Sequence, residues 1–180
     1  MTTIENGKDA ARAARFTRLY EQHHGDVLRF ARRRVEAEAA HDVMHDTFLV
    51  AWRRLDDVPE HTRPWILTVA HHTIGNRLRA ERRLAQAYLT AATAPRPPGE
   101  TPEDHAFAVD LSRAWDQLAR SDREVLALVA WDGLTPTEAA SVLGTSPGTF
   151  RVRLLRARAR LRDRLGHDIS SRSLPEGAAR

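Results

Sequence analysis

Along most of the chain, apolar residues recur at steps of three and four, the spacing that lines one face of an α-helix. Phe16, Leu19, Tyr20, His23, Val27, Phe30 and Ala31 form the first such series, after a polar and loose start over residues 1–8. Gly25 is a candidate break or kink in this helix, and Arg32, Arg33 and Arg34 end it, where cations suit a helix carboxyl terminus. Met44, Phe48, Ala51, Trp52 and Leu55 predict a buried stripe on a second helix over 39–55. After a proline-containing loop, a third helix is predicted over 63–83, with Trp65, Ile66, Val69, Ile74 and Leu78 among its core positions. Residues 91–102 read AATAPRPPGETP, and so many prolines cannot continue a helix. Beyond this linker, helices are predicted over 106–118, carrying Phe107, Leu111, Trp115 and Leu118, and over 122–131, with Ser121 as cap. The end, from residue 167, lacks periodicity and is expected to be disordered. No stretch alternates with the two-residue period of a strand. The expected architecture is all-α, with two small helical domains (9–90 and 106–166) joined by a flexible Pro-rich linker (91–105) and followed by a tail (167–180).

The most informative stretch is 133–164, GLTPTEAASVLGTSPGTFRVRLLRARARLRDR. Thr135-Pro136-Thr137-Glu138 places a capping threonine before a first-turn proline, with a glutamate able to reach back to the open amide. Ala139, Ala140 and Leu143 give the short helix an apolar face, Gly144 suits its left-handed end, and Ser146-Pro147 starts the next helix. Two helices on a tight glycine turn are a helix-turn-helix. In the second of them, Phe150, Leu154, Ala157, Leu161 and Leu165 make the buried stripe. Arg151, Val152, Leu155 and Arg156 lie opposite, near the start, the part of a recognition helix that enters the major groove. Arginine pairs bidentately with guanine, and apolar side chains touch thymine methyls. Arg153, Arg158, Arg160, Arg162 and Arg164 spread around the flanks and suit phosphates, and Thr149 and Arg153 count among the DNA-binding residues.

Composition narrows the picture only a little. The chain has 180 residues, 42% hydrophobic and 29% charged, with a formal net charge of +4 and pI ≈ 10.5. Its basic excess is almost entirely arginine, since Lys8 is the only lysine. Basic charge permits nucleic-acid binding and equally permits attraction to an acidic membrane. Without cysteine there is no disulfide framework, thiolate nucleophile or cysteine zinc site. The start has no apolar signal core and no stretch approaches a membrane span, so a cytoplasmic protein with no membrane partner is expected.

The first domain carries two further candidate surfaces. On the second helix, Asp42, Asp46, Leu49, Val50 and Arg53 fall away from the buried stripe, and acids beside exposed Leu and Val suit a protein partner as well as a solvated face. On the third, Trp65, His71, His72, Asn76, Arg77 and Arg79 combine the aromatic, amide and guanidinium groups that single-stranded bases and phosphates need. A metallohydrolase is a competing reading. His41-Asp42 is a dipeptide used by metal phosphohydrolases, His41 and His45 sit one turn apart, and His71 and His72 add ligands. No glutamate completes the zinc-peptidase pattern, however, and no further histidine–aspartate set falls at a recognisable spacing. No cofactor, metal site or enzymatic activity is therefore expected.

Three segments carry a resemblance to a known family. AHDVMHDTFLVAWRRLDDV resembles the second conserved region of bacterial sigma factors, and PWILTVAHHTIGNRLR the adjoining promoter-melting segment. LARSDREVLALVAWDGLTPTEAASVLGTSPGTFRVRLLRARARLR resembles their fourth region. With only a linker where a third region would lie, the order is similar to the extracytoplasmic-function (ECF) group. The resemblance implies that Asp42, Asp46, Leu49, Val50 and Arg53 bind the clamp helices of the largest subunit of RNA polymerase core. It implies that Trp65, His71, His72, Asn76, Arg77 and Arg79 engage and open the minus-ten element of promoter DNA. Thr149, Arg151, Val152, Arg153, Leu155 and Arg156 would read the minus-thirty-five element. Members of this group are often held by an anti-sigma factor. Three positions depart from the common pattern: His45 replaces glutamine, His72 replaces asparagine and Phe150 replaces valine. A helix-turn-helix regulator acting without core polymerase would share the second domain, and a need for core in promoter binding separates the two readings.

Overall fold

The computed structural model describes the backbone of residues 2–85 and 102–172, and side chains within 7–81 and 109–166. All regular structure among these residues is helical: α1 (Thr2–Arg32), α2 (Ala37–Arg53), a 3-10 turn (Leu55–Asp57), α3 (Thr62–Ala85), α4 (Pro102–Asp116), α5 (Arg120–Ala130), α6 (Pro136–Val142) and α7 (Pro147–Arg172). The chain divides into two compact units, residues 1–95 and 96–180. Linker residues 91–101 and tail residues 173–180 lie outside the described residues.

In the first unit α1, α2 and α3 pack against one another pairwise. Val27, Phe30 and Ala31 of α1, Val43 and Ala51 of α2, and Ile66, Leu67 and Ala70 of α3 are at most 1% exposed. Truncating a phenylalanine buried as completely as Phe30 costs about 3–5 kcal/mol, through lost transfer energy and the cavity left behind. That energy explains why Gly25 does not interrupt α1, since a helix-interior glycine costs only about 1 kcal/mol. α1 also reaches back to Thr2 through the stretch expected to be loose. Polar composition does not forbid a helix, and extending one adds a hydrogen bond for every residue fixed. Arg34 closes the other end, its guanidinium 3.6 Å from the centroid of the Phe30 ring and donating to the Phe30 carbonyl at 2.9 Å.

The stripe of α2 keeps Met44, Phe48, Ala51 and Leu55 inside as expected, and departs from expectation at Trp52. Ala40, Val43, Met44, Thr47, Phe48 and Ala51 are buried. Trp52, expected inside, is 39% exposed at the rim. There it stands edge-on to Phe16, with the Arg12 guanidinium 5.3 Å from its ring centroid. A polar cluster fastens α3 to α1. His23 Nε2 lies 2.6 Å from Thr62 Oγ1, and Asp26 accepts from Arg63 Nε at 2.8 Å and from Arg29. Burial pushes the His23 pKa below its ordinary value; Asp26 opposes the shift and Arg63 reinforces it. Burial alone would raise the Asp26 carboxyl, but the hydrogen bonds and charges of Arg63 and Arg29 outweigh it and hold the pKa low.

In the second unit α7 packs on α4, α5 and α6. Phe150 and Ala157 are fully buried against a core that includes Ala114, Val125, Leu128, Ala139 and Val142. Three boundaries differ from expectation. α4 begins at Pro102, inside the expected linker, because proline at a first helical position is already set for the helix. α5 begins at Arg120, with Ala119 in place of Ser121 as its N-cap; the Ala119 carbonyl accepts from the Asp122 and Arg123 amides. α7 runs through Gly166 to Arg172, so the expected tail starts later than residue 167. One glycine is too small a penalty to stop a helix already propagating.

Candidate nucleic-acid interface

The start of α7 is aimed by two local devices. Around α6, Thr135 Oγ1 accepts from the Glu138 amide at 3.3 Å, and the Glu138 carboxylate accepts from the Thr135 amide at 2.8 Å, a complete capping box. Gly144 then takes φ 60°, a conformation that side chains with a Cβ rarely adopt, and turns the chain into α7. Ser146 Oγ caps α7 by accepting from the Thr149 amide at 3.1 Å, and lies 2.9 Å from the Thr149 hydroxyl.

With Phe150, Leu154 and Ala157 buried, the opposite face is open: Val152 is 48% and Leu155 70% exposed, and Arg151 and Arg156 flank them in solvent. Arg153 is half-buried beside them. Arg151, Arg153, Arg156 and Arg158 make no hydrogen bond or ion pair among the described residues. Further along the same helix two arginines are tied down, while Arg162 between them makes no hydrogen bond or ion pair among the described residues. Arg160 Nη1 donates to both oxygens of Asp122, at 2.8 and 2.9 Å, and Arg164 donates to Gln117 Oε1 at 3.0 Å. Arg160, expected to suit phosphate, thus anchors α7 to α5, its side chain still half exposed.

On α2, Asp42, Asp46, Leu49 and Arg53 share the exposed face and Val50 is half-buried beside them. Trp52, missed as a surface residue because helical spacing placed it inside, adjoins Leu49, which is 53% exposed. On α3, His72 and Asn76 are exposed, Trp65 and His71 half-buried, and the two histidine rings stand edge to face with centroids 6.0 Å apart. Arg79 donates to Asn76 Oδ1 at 2.6 Å. Guanidinium has no acceptor, so the amide oxygen must face it and the two amide N–H groups remain for a ligand. Arg77 departs from this group: it turns back toward α2, donating from Nη1 to Asp42 Oδ2 and from Nε to Glu81 Oε1, each at 3.0 Å.

The histidines of the metallohydrolase reading are not brought together. His41 and His45 lie on the exposed side of α2, with His41 Nε2 3.3 Å from Arg32, while His71 and His72 belong to α3. No three His, Cys, Asp or Glu side chains among the described residues converge as metal ligands. No described helix is long and apolar enough to cross a membrane.

An all-helical unit with an acidic–apolar face and an amide–arginine face, followed in the same chain by a capped helix-turn-helix with an open arginine face, defines a bipartite promoter-binding protein. The comparisons with known proteins make the class specific. Residues 19–84 match the family model of Sigma-70 region 2, and residues 108–161 match that of Sigma-70, region 4. The ECF RNA polymerase sigma factor SigL of Mycobacterium tuberculosis is 30% identical over 156 residues, covering 83% of this chain and 88% of SigL. The solved structure of CnrH in complex with the cytosolic domain of CnrY has a TM-score of 0.57 at 29% identity, covering 85% of this chain and 88% of that one. The sigma factor RpoE of Bartonella quintana, solved with the anti-sigma factor NepR, shares the fold with a TM-score of 0.66 at 23% identity, covering 84% and 96%. The chain belongs to the sigma-70 family, in its extracytoplasmic-function group. It is a promoter-specific initiation factor that acts by binding RNA polymerase core and promoter DNA.

Proposed function

We propose a division of this work among three faces. Asp42, Asp46, Leu49, Val50 and Arg53 of α2, with Trp52 at their edge, take the polymerase clamp. Trp65, His71, His72, Asn76 and Arg79 of α3 engage the opened minus-ten strand. Thr149, Arg151, Val152, Arg153, Leu155 and Arg156 of α7 read the minus-thirty-five element. The observation that carries the reading is the set of arginines at the start of α7 that no acid among the described residues neutralises, opposite a stripe led by the fully buried Phe150. A helix held from behind and charged in front presents donors to base edges and phosphates. Transcription in vitro with core polymerase on a promoter library tests it. The expected result is core-dependent initiation from a bipartite motif, whereas motif-specific binding without core would favour an independent regulator.

The same reading extends to an anti-sigma partner, supported by the description of RpoE in complex with the anti-sigma factor NepR. Exposed Leu49 and Trp52 beside Asp46, which has no partner among the described residues, offer such a partner apolar and acidic anchors. Competition between core polymerase and a candidate inhibitor for this chain, abolished by Leu49→Glu, is the expected behaviour.

A further inference from the structure

We propose that Arg77 is a positioning residue of the core-binding face, presenting the Asp42 carboxylate to polymerase, and is not a contact for minus-ten DNA. The inference rests on the reading of α2 as the polymerase-binding surface. Sequence spacing groups Arg77 with Asn76 and Arg79 on α3. The structure instead aims its guanidinium across to α2, where Nη1 meets Asp42 Oδ2 at 3.0 Å, from 35 residues away in sequence. Its Nε is taken by Glu81 at 3.0 Å. The hydrogen bond to Asp42 raises the Arg77 pKa and the one to Glu81 adds to it, so the group stays charged at every working pH.

Two arguments follow from charge and exposure. One guanidinium between two carboxylates leaves a local charge of −1 (+1 − 2), which repels a phosphate. Asp42, by contrast, is held by one oxygen only: Oδ2 faces Arg77, and Oδ1 makes no hydrogen bond among the described residues. Its side chain is 61% exposed, against 36% for Arg77. The pair therefore fixes one rotamer of an exposed carboxylate and leaves its second oxygen for a basic group on the partner. Fixing that rotamer before encounter removes part of the ordering cost of binding. Other charges near the pair do not replace Arg77: His41 is turned to Arg32 of α1, and Asp46 and His45, one turn on, make no ion pair among the described residues.

The test uses the full chain with core polymerase and four variants: Asp42→Asn, Arg77→Met, the two combined, and the charge swap Asp42→Arg with Arg77→Asp. Core affinity, thermal unfolding by circular dichroism and minus-ten base preference in a promoter library are measured for each. Arg77→Met is expected to weaken core binding roughly three- to tenfold, leaving minus-ten preference and its salt dependence unchanged. The double variant should be no weaker than the worse single one, because the two residues act as one unit. The charge swap should recover thermal stability without recovering core affinity. If the swap recovers affinity as well, the pair is a structural strap only and the proposal is overturned. If Arg77→Met binds core normally but opens promoters poorly, Arg77 is a DNA contact and the proposal is equally overturned. If Asp42→Asn itself binds core normally, the reading of α2 fails, an outcome distinct from failure of the positioning role.

Discussion

Arginine does opposite work on α3 and at the start of α7. On α3, Arg63 is bound by Asp26, Arg77 by Asp42 and Glu81, and Arg79 by Asn76. At the start of α7, Arg151, Arg153, Arg156 and Arg158 have no such partners among the described residues, and the first paired arginine is Arg160. The presence of several arginines marks both helices as nucleic-acid surfaces. Their pairing separates the two: α7 offers charge, while α3 offers oriented amide and imidazole groups within a network of internal pairs. The difference suits duplex reading on one side and capture of separated bases on the other.

The sharpest attempt to break this contrast is Arg156→Ala against Arg160→Ala. Loss of Arg156 should cost about 1–3 kcal/mol of specific binding and relax selectivity at one base pair. Loss of Arg160 should leave selectivity unchanged and lower the melting temperature instead, since the Asp122 side chain is only 14% exposed and loses its partner. Binding of both variants to duplexes mutated across the minus-thirty-five element decides it, and identical profiles would erase the distinction between the front and rear of the helix. Next in size is Asp46→Arg on α2, expected to lower core affinity about tenfold by placing like charge against a basic partner, with an unchanged circular dichroism spectrum. Unaltered co-purification with core would remove Asp46 from the interface.

A pH series probes the paired side. His23 is only 4% exposed and its pKa is depressed, so the folded state takes up a proton less readily than the unfolded chain. Stability contributed by neutral His23 is complete above the ordinary value of 6.5 and is lost as pH falls below it toward the depressed folded value. Melting temperature should therefore decline on acidification from pH 7, and His23→Gln should flatten that slope. A slope unaffected by the substitution would place the sensitivity elsewhere. The smallest effect is expected from His72→Asn: a few-fold change of base preference at one minus-ten position, with minus-thirty-five selectivity intact. Library transcription with both proteins measures it, and identical preferences would exclude His72 from base contact.

The helix-turn-helix could be read from sequence because its determinants are local. Thr135 and Glu138 are three residues apart, Ser146 and Thr149 likewise, and Gly144 acts through its own backbone. The same holds for the α7 stripe, where Phe150, Leu154 and Ala157 obey one period. Non-local contacts defeated the reading elsewhere. Nothing in the spacing of α3 reveals that Arg77 pairs with Asp42, or that Asp122 waits for Arg160 on another helix. Trp52 was misplaced because periodicity locates a stripe but not its edge, and the packing of α1 against α2 decides which side of that edge a bulky ring occupies. α1 passes through Gly25 because Val27 and Phe30 bury more than the glycine loses.

The unpaired arginines of α7 have a consequence for the ionic medium. An arginine released from an internal carboxylate must first break that pair, so its net exchange with DNA counterions is blurred. Arg151, Arg153, Arg156 and Arg158 break nothing among the described residues when they meet phosphate. Each phosphate they neutralise on duplex DNA should add about −0.9 to the slope of log affinity against log salt. Titration with potassium chloride thus becomes a census of the contacts this helix makes, and the salt concentration of the surroundings becomes a dial on promoter occupancy.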